Sequence, residues 1–230
     1  MRSWLGWAVV ADGDFVGRTR ASYDAFAAEY AARFDGGMPD KPLDRGLYGA
    51  FAEMVRAAGG GPVADVGCGP GYTTAHLRAL GLDAFGIDLS PAMVATARRA
   101  HPDLRFVEGS MLALDLPDGG LAGLVALYSI IHIPTDRLPD VFAEFHRVLA
   151  PGGHLLLAFQ VGDELVHRTE LLGHAVALDY YRRPPELIAG LLAGAGLELR
   201  AQLLREPDGD GVEKLRRAYL LARRPAGTSS

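Results

Sequence analysis

The stretch Val63-Ala64-Asp65-Val66-Gly67-Cys68-Gly69-Pro70-Gly71 places a short apolar segment directly before a glycine-rich loop. Residues 62–66 predict a buried strand, and the pattern that begins at Tyr72 predicts a helix. Glycines at such a turn let the backbone bend tightly and let a ligand approach the main chain. The stretch therefore predicts a strand–loop–helix unit with a ligand site at the loop.

Strand-like and helix-like segments alternate from Pro62 onward, which favours a mostly parallel sheet with helices on both faces. Ser90 and Pro91 mark the start of a helix that runs to about Ala100. Residues 121–129 are almost continuously apolar, as expected of a strand buried on both faces. The other predicted elements are strands at 82–87, 104–108 and 154–159, helices at 72–80, 138–149 and 185–193, two final strands at 197–204 and 215–222, and helices within 19–56.

The segment 160–183 has mixed polarity and no clean period, which indicates a functional lid or short helices. Tyr23, Phe26, Tyr30 and Phe34 are spaced to share one face of a helix that precedes the sheet. The chain shows no internal repeat or linker, so we expect one domain at 19–224 with a helical cap and the lid. Residues 1–18 are expected to form a flexible extension, and residues 225–230 a disordered tail.

Composition limits the partners and the compartment. The chain has 230 residues, a formal net charge of −5 and one cysteine, so it has no intramolecular disulfide. Its acidic balance and lack of basic runs argue against nucleic acid as a partner. No apolar stretch reaches the ~18 residues that span a bilayer, and the N-terminus lacks a signal-peptide cleavage site. We expect a cytoplasmic monomer or homodimer without a membrane partner.

Two acids help to distinguish the possible ligands of the loop. In a dinucleotide site a third glycine falls three residues after the second, and that position here is Tyr72. Asp65 lies at the mouth of the loop, where a carboxylate repels a pyrophosphate but favours an ammonium or sulfonium by ~1–4 kcal/mol at 4 Å. Asp88 ends the second strand, where a carboxylate accepts hydrogen bonds from both ribose hydroxyls of an adenosine. The loop therefore favours a cationic ligand.

Four motifs, in this order along the chain, resemble the class I S-adenosylmethionine (SAM)-dependent methyltransferase family. They are the stretch at 63–71, Gly86-Ile87-Asp88-Leu89-Ser90-Pro91-Ala92-Met93, Gly109-Ser110-Met111 and Leu149-Ala150-Pro151-Gly152-Gly153. The resemblance spans about 23–222 and implies an α/β fold, a single Rossmann-like domain. Its mostly parallel seven-stranded sheet would have the order 3-2-1-4-5-7-6, with one antiparallel strand from the last hairpin. It also implies SAM as the cofactor and a small-molecule acceptor methylated at O, N or an activated C.

The resemblance further implies a cofactor site whose residues hold different parts of SAM. The methionine moiety would lie against Asp65, Gly67 and Gly69, the ribose against Asp88, and the adenine against Leu89, Met93, Ser110 and Met111, while Tyr23 and Tyr128 would close over the cofactor. Many members of the family have an acidic residue where Ser110 stands. A hydroxyl accepts the same hydrogen bond, so we expect a weaker contact to the adenine.

Methyl transfer from a sulfonium is an in-line displacement, in which the protein mainly aligns the groups and excludes water. A base is needed only when the acceptor must lose a proton, and histidine suits that role. His132 follows the fourth strand on the ligand side of the sheet, and His167 and His174 lie in the lid. These three are the candidate catalytic residues, with His132 first; the alternative is that all three only shape the pocket.

Other side chains near this edge are candidates for the acceptor pocket. They are Tyr128, Gln160, Tyr180 and Tyr181, with Arg182 and Arg183 as a possible clamp for an acidic substrate. The fourth strand ends without a carboxylate cluster, so no metal is expected. Two other functions stay open: a SAM-binding protein of this fold without methyl transfer, and a nicotinamide-dependent oxidoreductase, which Asp65 and Tyr72 disfavour.

Overall fold

The computed structural model describes residues 14–33, 41–209 and 213–227. These residues form a seven-stranded sheet, a separate two-stranded hairpin and helices. The helices are α1 (Phe15–Arg33), α2 (Pro42–Ala57), α3 (Tyr72–Ala79), α4 (Pro91–Ala100), α5 (Leu138–Val148) and α6 (Pro185–Gly194). The strands are β1 (Pro62–Val66), β2 (Asp83–Asp88), β3 (Phe106–Glu108), β4 (Leu121–Leu127), β5 (Leu149–Gln160), β6 (Leu165–Leu171), β7 (His174–Tyr181), β8 (Glu198–Arg205) and β9 (Arg217–Arg223).

The large sheet has the order β3-β2-β1-β4-β5-β9-β8. The pairs β1–β2, β1–β4, β2–β3 and β4–β5 are parallel, and β9 runs antiparallel to β5 and β8. Counted within this sheet alone, the order is 3-2-1-4-5-7-6. The predicted α/β fold is therefore confirmed, including the single antiparallel strand from the last hairpin.

The central strand β4 carries apolar side chains to both faces of the sheet. Leu124, Val125 and Ala126 are fully buried. Because successive side chains of a strand point to opposite faces, Leu124 packs in a cluster with α5, whereas Val125 packs in a second cluster with α2. The core thus lies on both sides of β4, and the carboxyl ends of the central strands are left to form a site.

The region after β5 was predicted to be a functional lid or to carry short helices. This region, which the structure describes throughout, carries no helix and folds as the β6–β7 hairpin, so the second alternative is wrong. Its two-residue turn is Leu172-Gly173, and both residues have positive φ, +53° and +82°. Such a turn matches the right-handed twist of the flanking strands. Leucine in place of the usual asparagine or aspartate hides this signal in the sequence.

Helix α1 and the hairpin pack together as a cap. Phe26, Ala27, Met93 and Leu178 form one buried cluster of α1, α4 and β7. The Ala177 backbone N–H donates to the hydroxyl of Ser22 at 3.0 Å, which joins β7 to α1. Helix α1 begins at Phe15, inside the segment 1–18 that was expected to be a flexible extension.

Some predictions fall outside the described residues. They concern residues 1–13, Phe34 and residues 228–230. Within the described ranges, no helix combines the length and the apolar character that a bilayer span requires.

Candidate functional site

A cavity of about 590 Å³ lies where the central strands end. It is lined by the glycine loop, by the end of β2, by the segment after β4, and by residues of α1 and the hairpin. Most of the predicted cofactor residues line it: Tyr23, Gly67, Gly69, Asp88, Leu89, Ser110, Met111 and Tyr128. The structure thus brings these side chains and loops to one cavity, as the resemblance implies.

The glycine loop brings its backbone to the cavity. Gly67 and Gly69 have φ of +79° and +52°, which L side chains rarely adopt. A Cβ on Gly67 would stand 2.3 Å from the Cβ of Ser129, whereas one on Gly69 would meet no atom within 4 Å. The loop is fixed to β2 because the Gly67 and Cys68 amides donate to the Ile87 carbonyl at 2.7 and 3.1 Å. Gly67 therefore serves close packing, and Gly69 leaves space beside the backbone.

Asp88 is held at the cavity by two backbone donors. The Gly69 amide donates to its Oδ2 at 2.7 Å, and the Ser90 amide to its Oδ1 at 2.8 Å. Burial raises the pKa of this carboxyl. Each carboxylate oxygen has a second lone-pair site. Asp88 can therefore accept hydrogen bonds from two adjacent hydroxyls of a ligand.

Asp65 has a different environment from the one predicted. Its side chain is 2% exposed and does not line the cavity. The Thr74 hydroxyl, in the first turn of α3, donates to its Oδ2 at 2.7 Å. Burial raises the pKa of Asp65 to about 7. Its direct contact with a methionine moiety stays a prediction, while its hydrogen bond to Thr74 joins β1 to α3.

Met93 also lies away from the cavity lining. It is 1% exposed and packs with Phe26 and Leu178 between α4, α1 and β7. Leu89, by contrast, lines the cavity next to Asp88. Met93 therefore packs within the cap, and the adenine contact predicted for it stays a prediction.

His132 lies in a 3₁₀ turn (Ile130–His132) and contacts the cavity together with Tyr23. Its Nδ1 is 2.9 Å from the carbonyl oxygen of Asp179, and its Nε2 is 2.7 Å from the Tyr23 hydroxyl. Because a carbonyl only accepts, Nδ1 carries the proton and Nε2 accepts from Tyr23. Burial lowers the pKa of His132 to about 4. The basic nitrogen of His132 is thus already engaged by a protein hydroxyl.

His167 and His174 do not line the cavity. On the hairpin, Nδ1 of His167 is 2.7 Å from Oδ1 of Asp179. Nε2 of His174 is 3.4 Å from Oε1 of Glu29 on α1. Of the three candidate bases, only His132 therefore reaches the cavity.

The prediction that Arg182 and Arg183 clamp a substrate is not supported by their positions. Arg183 is buried and donates to the carbonyls of Ile130 and Ile133. Arg182 forms an ion pair with Glu164. Neither arginine lines the cavity: Arg183 joins the hairpin to the segment after β4, and Arg182 pairs across the base of the hairpin. Of the other predicted pocket residues, Tyr128, Gln160 and Tyr180 line the cavity and Tyr181 does not.

The sequence did not predict one wall of the cavity. This charged wall, defined by Lys41, Asp44, Glu213 and Arg217, comes from the segment before and within α2 and from the β8–β9 connection. The predicted final hairpin could have indicated part of this wall, because antiparallel pairing sets Arg217 opposite Gln160 at the end of β5. The residues before α2 carry no comparable pattern.

The comparisons with known proteins agree with this geometry. Residues 63–153 match the model of a family described as "Methyltransferase domain". Trans-aconitate 2-methyltransferase of Escherichia coli O7:K1 is 38% identical over 148 residues, which is 60% of this chain and 56% of the relative. The chain thus spans little more than half the length of the curated relatives that it matches.

Solved structures share the fold at lower identity. Magnesium protoporphyrin IX methyltransferase (ChlM) from Synechocystis PCC 6803, with bound SAM, is 18% identical at a TM-score of 0.68, over 93% of this chain and 99% of that one. DhpI in its complex with SAH is 23% identical at a TM-score of 0.67, over 92% and 97%. The matched segment at 63–153 and the sheet order described above make this chain similar to methyltransferases in sequence, and to SAM-dependent methyltransferases in fold.

Proposed function

We propose that this chain binds SAM in the cavity and transfers its methyl group to a small-molecule acceptor. The family match over 63–153 and the fold support this proposal. The observation that carries it is Asp88, whose two oxygens are oriented by the amides of Gly69 and Ser90 at the cavity wall. An acid placed in this way suits the two hydroxyls of a ribose.

The residues present fit SAM part by part. Gly69 has open space beside its backbone for the methionine moiety, with Gly67 packed behind it. Leu89, Ser110 and Met111 line the cavity where an adenine would follow the ribose. When bound, SAM supplies an electrophilic methyl carbon on a positively charged sulfur. Asp65 would act on the methionine moiety from beneath the loop, where a nearby cation favours its ionised form.

The chain's own groups would orient the reactants and exclude water. Tyr23 is fixed by its hydrogen bond to His132, and its ring contacts Phe26 at a centroid distance of 5.1 Å. Tyr180 brings a second phenol from the hairpin to the same cavity. Such a closed aromatic cap raises the rate chiefly by alignment and by removal of water.

We also infer a cytoplasmic protein, a monomer or a homodimer, without nucleic acid or a membrane as a partner. The net charge of −5 and the lack of basic runs in the sequence support the absence of a nucleic-acid partner. Trans-aconitate, named for the E. coli relative, is one acceptor to assay first. A SAM-binding protein without methyl transfer is separated from an enzyme by incubation with methyl-labelled SAM.

The Asp88→Ala variant tests the proposed site. We expect it to weaken binding of S-adenosylhomocysteine (SAH) by about 1.5–3 kcal/mol, because a charged acceptor of hydrogen bonds is lost. Titration calorimetry on the purified chain measures this change. Asp83→Asn is the matched control, since Asp83 lies at the opposite end of β2 and its side chain is 72% exposed. Equal SAH affinity of Asp88→Ala and wild type would mean that the ribose lies elsewhere.

A further inference from the structure

The cavity extends beyond the residues assigned to SAM, to the charged wall. Arg217, the first residue of β9, is paired with Gln160, the last residue of β5, and both line the cavity. The Arg217 guanidinium carbon lies 5.4 Å from the centroid of the ring of Tyr128, the residue that directly follows β4. Arg217, Gln160 and Tyr128 therefore form one contiguous patch, here named the Arg217 patch.

The hydrogen-bonding capacity of Arg217 is largely unused within the part of the chain that the structure describes. Its Nε and Nη1 atoms are buried and have no hydrogen-bond partner. Its ion pair with Glu213 joins Nε to Oε1 at 3.7 Å, which is longer than a hydrogen bond. A buried guanidinium without acceptors is costly, because its desolvation is not compensated. The arrangement is suited to an anionic group that arrives with a ligand.

The other charges of the wall are already bound by protein groups. Arg205 donates to both carboxylate oxygens of Glu213, at 2.7 and 3.0 Å, and lies 3.2 Å from Asp44. Lys41 forms an ion pair with Asp208 at 2.5 Å. These contacts leave Arg217 as the cation of the charged wall whose hydrogen bonds are least satisfied.

The groups of the cavity that could act as bases also support an anionic ligand. Nε2 of His132 accepts from Tyr23, both oxygens of Asp88 accept from backbone amides, and Glu213 is bound by Arg205. Asp44 accepts from the Tyr219 hydroxyl at 2.8 Å. Every histidine and carboxylate that lines the cavity, among the described residues, thus already accepts a hydrogen bond from the protein. A methyl acceptor that reacts without losing a proton suits such a site.

We propose that the Arg217 patch is a carboxylate subsite, and that the methyl acceptor is an organic acid methylated on a carboxylate oxygen. This inference rests on the proposed function. Methylation of a carboxylate by a methyl sulfonium forms an O–C bond and breaks an S–C bond. The products are a neutral ester and a neutral thioether, so no proton has to move and no base is required. The guanidinium binds the acid and the Gln160 amide supplies a second donor.

Binding to the SAH-loaded protein tests the subsite without catalysis. The probes are succinate and benzoate, each compared with its neutral amide by titration calorimetry. We expect an acid to bind the wild type and its amide not to bind, and Arg217→Gln to weaken acid binding roughly 10- to 100-fold, since a charged hydrogen bond is removed. Arg216→Gln is the matched control, because Arg216 pairs with Glu206 and does not line the cavity. Equal acid affinity in wild type and Arg217→Gln, or no binding of either acid to wild type, overturns the subsite.

The product distinguishes this inference from the proposed function. Wild type is incubated with methyl-labelled SAM and a bacterial metabolite extract, and the products are treated with base. Carboxyl methyl esters hydrolyse and release the label as volatile methanol, which is the expected result. Label that is stable to base overturns the carboxylate acceptor but retains methyl transfer. No transferred label at all contradicts the proposed function, and the calorimetry then decides the subsite independently.

Discussion

Two buried ionisable groups beside the cavity have pKa values far from their ordinary ones, for the same physical reason. Burial disfavours the charged form, so it raises the pKa of Asp65 to about 7 and lowers that of His132 to about 4. The neutral form of His132 is further defined by its two partners, Tyr23 and the carbonyl of Asp179. The side chain that the sequence singled out as a base is therefore better described as the group that holds Tyr23.

The pH dependence of stability tests this role of His132. Its pKa in the folded chain is lower than in the unfolded chain, so below about pH 6.5 the unfolded state binds more protons. The stabilisation is present above pH 6.5 and is lost as pH falls towards 4, at about 1.4 kcal/mol per pH unit. We expect His132→Gln to show a shallower loss of unfolding free energy between pH 6.5 and 5 than wild type, in urea unfolding.

Ser110→Ala provides the comparison, since it changes a cavity residue that does not titrate in this range. It should follow the wild-type pH dependence. If His132→Gln also follows the wild type, then His132 is not buried in its neutral form, and the assignment of its protons is wrong.

At the scale of elements, the sequence predicts those helices and strands whose signals lie in neighbouring residues. Helix α4 begins at Pro91 as expected, because the Ser90 hydroxyl accepts from the Met93 amide at 3.1 Å and caps the helix. The β6–β7 hairpin was not predicted, since its turn at Leu172-Gly173 lacks the usual residue types. The positions of Met93 and Arg183 depend on α1 and the hairpin, which are distant in sequence and carry no local signal for these contacts.

Arg183 illustrates how one side chain joins two elements. It extends from the end of the hairpin to the carbonyls of Ile130 and Ile133, next to His132. We expect Arg183→Lys to lower the unfolding free energy by about 1–3 kcal/mol, because lysine keeps the charge but lacks the planar fork that reaches several acceptors. Urea denaturation measures the change.

Arg182→Lys is the matched control from the same segment. Arg182 pairs with Glu164, whose side chain is 60% exposed, so this substitution should cost less than about 1 kcal/mol. Equal losses in the two variants would contradict the structural role assigned to Arg183.

At the scale of the whole molecule, the cavity is closed by parts that lie far apart in the chain. The sheet contributes the glycine loop and Asp88, while α1 contributes Tyr23 and the hairpin contributes Tyr180. A ligand that contacts all of them stabilises them together, because it binds the closed arrangement and not the locally opened one. We therefore expect ligand binding to stabilise segments of the chain well beyond the loop.

Hydrogen exchange measured by mass spectrometry tests this coupling. With saturating SAH, we expect slower exchange in the loop at 67–71, in α1 and in β6–β7. Strand β8 is the internal reference, since it lies at the sheet edge and most of its residues are exposed. Protection confined to the loop, with α1 and the hairpin unchanged, would show that the cap does not close over the cofactor.

The backbone conformation of Tyr128 affects both the stability of the fold and the lining of the cavity. It follows β4 with φ of +54°, a left-handed conformation that costs a residue other than glycine or asparagine roughly 1 kcal/mol or more. Glycine or asparagine at this position would relieve the strain but remove the aromatic ring beside Arg217. At Tyr128, therefore, the backbone conformation favours glycine or asparagine, whereas the contact with Arg217 requires an aromatic ring.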